Sequence, residues 1–83
     1  MKLVYFAWLR ERIGTGDEHR EIPDHVKTGG DLLAWLATCG EEYASALAFP
    51  NVIRVAVNQE IITHDELIAG ATEIALFPPM TGG

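Results

Sequence analysis

The residues with the most chemistry to offer stand together in the last stretch of the chain, Leu76 to Gly83 (LFPPMTGG). The α-carboxylate of Gly83 has an ordinary pKa of about 3.3–3.7 and is ionised at neutral pH. A carboxylate is a poor electrophile, so it reacts only after another enzyme activates it, most simply as an acyl adenylate. Gly82 and Gly83 suit that use. Without a Cβ the backbone threads a narrow channel, and nucleophiles reach the carbonyl unhindered. Pro78 and Pro79 suit it as well. They lack an N–H, so the chain cannot continue a sheet ladder, and their fixed φ holds it extended. From Pro79 through Met80 and Thr81 to Gly83 the chain reaches up to about 17 Å, at roughly 3.3–3.6 Å per residue. That is enough to enter a partner's active site while the domain stays outside.

Other candidates carry less. Gly14-Thr15-Gly16 lacks the third glycine and the following helix of a dinucleotide fingerprint. No HExxH or CxxC is present. The single cysteine, Cys39, excludes an internal disulfide and a four-cysteine iron–sulfur cluster. It falls on a helical apolar stripe and reads as a packed thiol rather than a nucleophile. His19, His25 and His64 lie in three separate polar segments and read as surface residues, not metal ligands. No bound metal or cofactor is expected.

With 83 residues, 48% of them hydrophobic, the chain has room for one domain with a small core. One thiol and no secretory signal favour the cytoplasm, and no apolar run is long enough to span a membrane. The charge is uneven. Residues 1–27 hold five acids and five bases, whereas residues 28–83 hold seven acids and one base, Arg54. The whole net charge of −6 thus lies in the second part. A nucleic-acid partner, which needs clustered Lys and Arg, is disfavoured, and a basic protein partner is favoured.

The elements must position that C-terminal segment. Lys2 to Trp8 (KLVYFAW) is apolar on both faces and predicts a central strand covered on both sides. Leu9 to Ile13 allows one helical turn, and Trp8 and Trp35 read as core residues, with a surface position for Trp8 as the alternative. Glu18 to Ile22 predicts a short outer strand ended by Pro23. Thr28, with Asp31 three residues on, predicts a capped helix carrying Leu32, Trp35, Leu36 and Cys39 and stopped by Gly40. Glu41 to Phe49 predicts a weaker helix. Val52 to Val57 is a β-branched strand, Asn58-Gln59 a turn, Glu60 to Ile62 a short strand, and Glu73 to Phe77 the last strand. Two strands before one main helix exclude a doubly wound repeat and predict an α+β fold, with the helix on one face of a mixed sheet. If the apolar first and last strands are parallel neighbours, the design is a β-grasp, the ubiquitin-like roll. The domain then spans residues 1–83, with a flexible tail over 78–83.

Three stretches carry a resemblance. VYFAWLRERIG (Val4–Gly14), VAVNQEII (Val55–Ile62) and EIALFPPMTGG (Glu73–Gly83) resemble the first strand and Arg-Glu turn, the third strand and turn, and the Phe-Pro-Pro-x-x-Gly-Gly end of the molybdopterin synthase small-subunit family, which are ubiquitin-like sulfur carriers. The resemblance implies that an E1-like adenylyltransferase uses MgATP to adenylate Gly83, and that a sulfur donor protein then converts it to a thiocarboxylate. It implies that Met80, Thr81 and Gly82 thread into the large subunit of molybdopterin synthase, in a heterotetramer, where sulfur passes to a pterin precursor. Phe77, Pro78 and Pro79 would dock on that subunit, Arg10 would contact the activating enzyme, and the catalytic side chains would belong to the partners. The chain departs from the family at Ala69-Gly70-Ala71-Thr72, where an acidic turn is common, and at Met80, where a smaller residue is common. A thiamine-type carrier, a ubiquitin-like modifier of lysines and an inert interaction module are the other readings.

Overall fold

The computed structural model describes residues 1–79. Strand β1 (Lys2–Tyr5) alternates, with Leu3 and Tyr5 buried and Lys2 and Val4 half-buried. Its expected continuation to Trp8, and its expected cover on both faces, are corrected here. Ala7 takes φ 55, which turns the chain out of the sheet and into helix α1 (Ala7–Ile13). A left-handed non-glycine residue costs about 1–2 kcal/mol. The turn leaves Phe6 49% and Trp8 38% exposed instead of buried. The other face of α1 buries Leu9 and Ile13, and Gly14, at φ 94, caps it by donating its N–H to the Arg10 carbonyl at 2.9 Å.

Strand β2 (Asp17–His19) pairs antiparallel with β1 and is shorter than the expected Glu18–Ile22. The register explains why. Strand β1 starts at Lys2, which pairs with His19, and past that pair the Arg20 N–H reaches the Met1 carbonyl outside the strand.

Helix α2 (Gly29–Leu36) starts at the predicted cap. The Thr28 hydroxyl accepts from the Asp31 N–H at 3.1 Å, and Asp31 accepts from the Thr28 and Lys27 N–H groups at 3.2 and 3.1 Å. Those backbone donors hold the Asp31 carboxyl below its ordinary range. Leu32, Leu33 and Leu36 are buried, each contributing about 1.5–3 kcal/mol relative to exposure. A Cβ on Gly30 would come within 3.2 Å of the His64 carbonyl, which accepts the Gly30 N–H at 2.8 Å. The two glycines after Thr28 thus let the 63–66 loop sit directly on the helix start. Helix α2 ends at Leu36, not at Gly40. Gly40 precedes α3 (Glu41–Ala46), which buries Tyr43 and Ala46 and stops short of the expected Phe49.

A 3-10 turn (Pro50–Val52) then keeps Val52 out of the sheet, because its N–H donates back to the Phe49 carbonyl. Strand β3 therefore runs Arg54–Val57 rather than from Val52. Asn58 and Gln59, both at positive φ, turn it into β4 (Glu60–Ile62). The Asn58 side-chain carbonyl accepts from the Thr72 and Glu73 N–H groups, which fixes this turn to the start of β5 (Glu73–Phe77).

The five strands order as β2-β1-β5-β3-β4, with β1 and β5 parallel and every other neighbour antiparallel. This is the expected mixed sheet of a β-grasp, and the last strand is its centre. Leu3, Tyr5, Val55, Ile74 and Leu76 point to one side, where Leu9, Leu32, Leu33, Leu36 and Ile53 complete the core. Helices α1, α2 and α3 all bury side chains in that core, and among the described residues this leaves the opposite face of the sheet open. No helix among the described residues is long and apolar enough to cross a membrane.

One polar group points inward from the edge strand. Glu18 accepts hydroxyl donors from Tyr5 and Tyr43, both at 2.6 Å on Oε2, and the Arg20 Nε at 3.2 Å on Oε1. Partial burial pushes the Glu18 carboxyl up. The bonds from Tyr43 and Tyr5 and the Arg20 guanidinium outweigh that and hold it below the ordinary value. Burial, and then the bond to Glu18, push the Tyr5 hydroxyl far up. A depressed carboxyl stabilises the fold above its unfolded pKa of about 4.3 and loses that contribution as pH falls through the folded value. With part of the carboxylate still in water, Glu18→Gln is expected to cost about 1–2 kcal/mol at pH 7 and to lower Tm by about 5–10 °C. The deficit should begin to shrink as pH falls below about 4.3, and the charge-dependent part is lost only once pH has passed through the lowered folded pKa. Thermal melts across pH measure it, and a constant deficit down to about pH 2 would show that the charge contributes nothing.

Candidate functional site: the root of the C-terminal segment

Phe77 closes the central strand. Its neighbours Ile74 and Leu76 alternate into the core, so Phe77 points to the open face, where it is half-buried. Pro78 and Pro79 follow, also half-buried, and cannot extend the ladder. These three residues line one groove of about 560 Å³ with Phe6, Ala7, Trp8 and Val52. Each wall has a local cause. The left-handed Ala7 throws Phe6 and Trp8 outward, and the 3-10 turn presents Val52, 45% exposed. The Arg12 guanidinium stacks 5.0 Å from the Trp8 ring centre and covers its far side.

The structure brings Phe77, Pro78 and Pro79 together and leaves Arg10 elsewhere. Arg10 is exposed on α1 and lines a separate shallow cleft with Glu11, Gly14, Thr15 and Gly16. Met80, Thr81, Gly82 and Gly83 lie outside the described residues. Phe6 and Val52 are wall residues that the sequence reading assigned to strands. A signal was present for the first: Tyr5, Phe6 and Trp8 are three aromatics within four positions, more than one strand face can bury. Trp8 is a surface residue of the groove, not a core residue.

The remaining polar candidates do not converge. Among the described residues no three His, Cys, Asp or Glu side chains are grouped to hold a metal. His19 and His25 are exposed. His64, expected on the surface, is half-buried with its Nε2 2.7 Å from the Ile53 carbonyl, where it ties the 63–66 loop to the start of β3. Cys39 is half-buried against the core, with its sulfur 3.6 Å from the Trp35 carbonyl. These candidates therefore do not come together at one place. What the structure does assemble is an apolar collar around the point where the chain leaves the sheet.

Comparison with known proteins agrees with that geometry. Residues 3–83 match the ThiS family. Two proteins named molybdopterin synthase sulfur carrier subunit, from Escherichia coli (strain K12) and Haemophilus influenzae (strain Rd), are each 32% identical over 83 residues, covering 100% of this chain and 99% of the relative. Among solved structures, SAMP1 from Haloferax volcanii superposes with a TM-score of 0.72 at 30% identity, covering 100% of this chain and 98% of that one. A second structure, of the H. volcanii small archaeal modifier protein 1, gives 0.65 at 27% identity, covering 96% and 97%. The family match runs from Leu3 to Gly83, and the chain belongs to the ThiS family.

Proposed function

We propose that this chain is the sulfur carrier of molybdopterin synthesis, with the Gly83 carboxylate as the group that carries sulfur. The observation that supports it most is the exit of the chain. The central strand ends on Phe77, two prolines steer the backbone off the sheet through an apolar collar, and four residues later stands Gly83. Full-length relatives named molybdopterin synthase sulfur carrier subunit support the same reading.

In this reading an E1-like enzyme binds MgATP, and the terminal carboxylate displaces pyrophosphate to give an acyl adenylate. A sulfur donor then displaces AMP, which leaves a thiocarboxylate. The segment Met80–Gly83 enters the large subunit of the synthase, and the collar of Phe77, Pro78, Pro79 and Phe6 docks outside. The thiocarboxylate sulfur bonds to the pterin precursor, and water then hydrolyses the acyl–sulfur bond, which leaves sulfur on the precursor and restores the carboxylate. The chain supplies a reactive end and a docking surface, and the partners supply the catalytic side chains. Arg10, on its separate cleft, is left free to contact the activating enzyme.

Intact mass spectrometry after co-expression with the activating enzyme and its sulfur donor tests the carrier chemistry. The expected result is a gain equal to the mass of sulfur minus that of oxygen, localised to Gly83. An unchanged mass, with the activating enzyme shown to consume ATP on a positive control, would sink the reading. The H. volcanii modifier structures favour a second use of the same activated end, transfer to lysine amines. Adducts carrying this chain through an amide at Gly83 would reveal it.

A further inference from the structure

Arg54 does not match its surroundings. It is the lone base in residues 28–83, against seven acids. Its neighbours Ile53 and Val55 are buried in the core, so Arg54 points to the open face of the sheet, where it is exposed. There the register pairs it directly with Phe77. Beside this pair the register lines up Val4, Ala75, Ala56 and Ile61 in one apolar row across β1, β5, β3 and β4, ending in Ile61 at 68% exposure. On the other side stands Val52 of the collar. Arg54 is thus a cation at the border of that apolar surface, with Phe77 beside it in the register and a cleft it shares with Asn51, Thr63, His64 and Glu66 on its other side.

Nothing in residues 1–79 neutralises it at close range. The ion pairs there are Lys2–Glu73 and Arg20–Glu18. Glu66, which lines the same shallow cleft as Arg54, stays beyond 4.0 Å. Lys2, the other base on the open face, already has Glu73 at 3.9 Å. In water the bare guanidinium is solvated and costs nothing. Directly paired residues on adjacent strands stand about 4.5–5.5 Å apart at Cβ, so a protein that covers Phe77 also covers Arg54. Covering a guanidinium without a partner is strongly unfavourable, whereas a carboxylate opposite it gains a planar, two-point contact.

We propose that Arg54 determines the specificity of the docking surface, by pairing with a carboxylate that the synthase large subunit sets within the apolar surface facing Phe77. The proposal rests on the docking role given above to Phe77. It names a chemistry that general acidity does not. Basic groups on a partner suit the rest of residues 28–83, but at this one place a basic or purely apolar partner surface is rejected.

The test measures the affinity of the full chain for its own organism's large subunit by calorimetry. The variants are Arg54→Leu, Arg54→Lys and Arg54→Glu, with Phe77→Ala as a reference and a thermal melt for each. Arg54→Leu is expected to weaken binding by about 30-fold despite keeping apolar area, Arg54→Lys by less, and Arg54→Glu by more. A Glu→Lys or Asp→Lys change at the facing carboxylate of the large subunit should restore binding to Arg54→Glu while weakening it to the wild type. Arg54→Leu binding within about twofold of wild type, or tighter, would overturn the proposal. If Phe77→Ala then still loses affinity, the docking surface stands and only the role of Arg54 falls. If the wild type itself does not bind the large subunit, both fall together.

Discussion

Gly82→Ala is expected to leave the melting temperature of the domain almost unchanged and to reduce thiocarboxylate formation by about 100-fold or more. The first half follows from where the core ends. Leu76 is the last residue of the buried cluster, and Gly82 stands six positions beyond it. The second half follows from what the end must do. On the proposed function, a methyl group at Gly82 widens a backbone that is to thread a channel, and it removes conformations that glycine alone visits freely. A reacting carbonyl displaced by about 1 Å costs about two powers of ten in rate. One residue added after Gly83 should go further, because it turns the carboxylate into a peptide carbonyl that cannot be adenylated. Thiocarboxylate yield and dithiolene product, measured for both variants against wild type, decide the matter. Full activity in both would make the Gly-Gly end a loose end, and the carrier reading would go with it.

The sheet was legible in the sequence because its signals are local and strong. Val55 comes from a β-branched run and Ile74 from a short apolar stretch stopped by two prolines, Thr28 and Asp31 form a reciprocal cap, and Asn58 has the side chain that a positive-φ turn needs. The parallel pairing of β1 with β5 was legible only through composition, as two strongly apolar strands that both had to lie inside. The collar was not legible, because two local backbone choices with no strong residue signal make it. Whether Phe6 and Trp8 continue a strand or swing out is settled by the backbone of Ala7, and alanine carries no signal for a positive φ. Whether Val52 joins β3 is settled by hydrogen bonds back to Phe49 and Pro50. In both places apolar residues that looked like core become surface. An exposed apolar patch is itself informative, since it suits a binding site better than it suits an isolated domain. Arg54 was visible as the one base of its half, but its pairing with Phe77 needed the register.

Phe77→Ala should weaken binding to the large subunit by about 100-fold, or roughly 3 kcal/mol, with a loss of domain stability of no more than about 1 kcal/mol. The asymmetry between these numbers is the content of the prediction. A phenylalanine in the core would cost about 3–5 kcal/mol on truncation to alanine. Phe77 is not in that position. It lies on the open face, half-exposed, across from Arg54 and against Phe6, Val52, Pro78 and Pro79. Its ring shares one groove with this collar, so a partner that fills the groove covers the ring and the collar together. An aromatic ring at the centre of an apolar patch, ringed by lesser contacts, is the usual place for the largest share of binding energy. Calorimetric affinity and a thermal melt on the same preparation separate the two roles. A variant that melts far below wild type yet binds normally at a temperature where it is folded would assign Phe77 to the domain's own packing. Near-wild-type stability with binding lost would assign it to the interface, and the position of the ring at the mouth of the Pro78-Pro79 exit would then set how far Gly83 can reach into the partner.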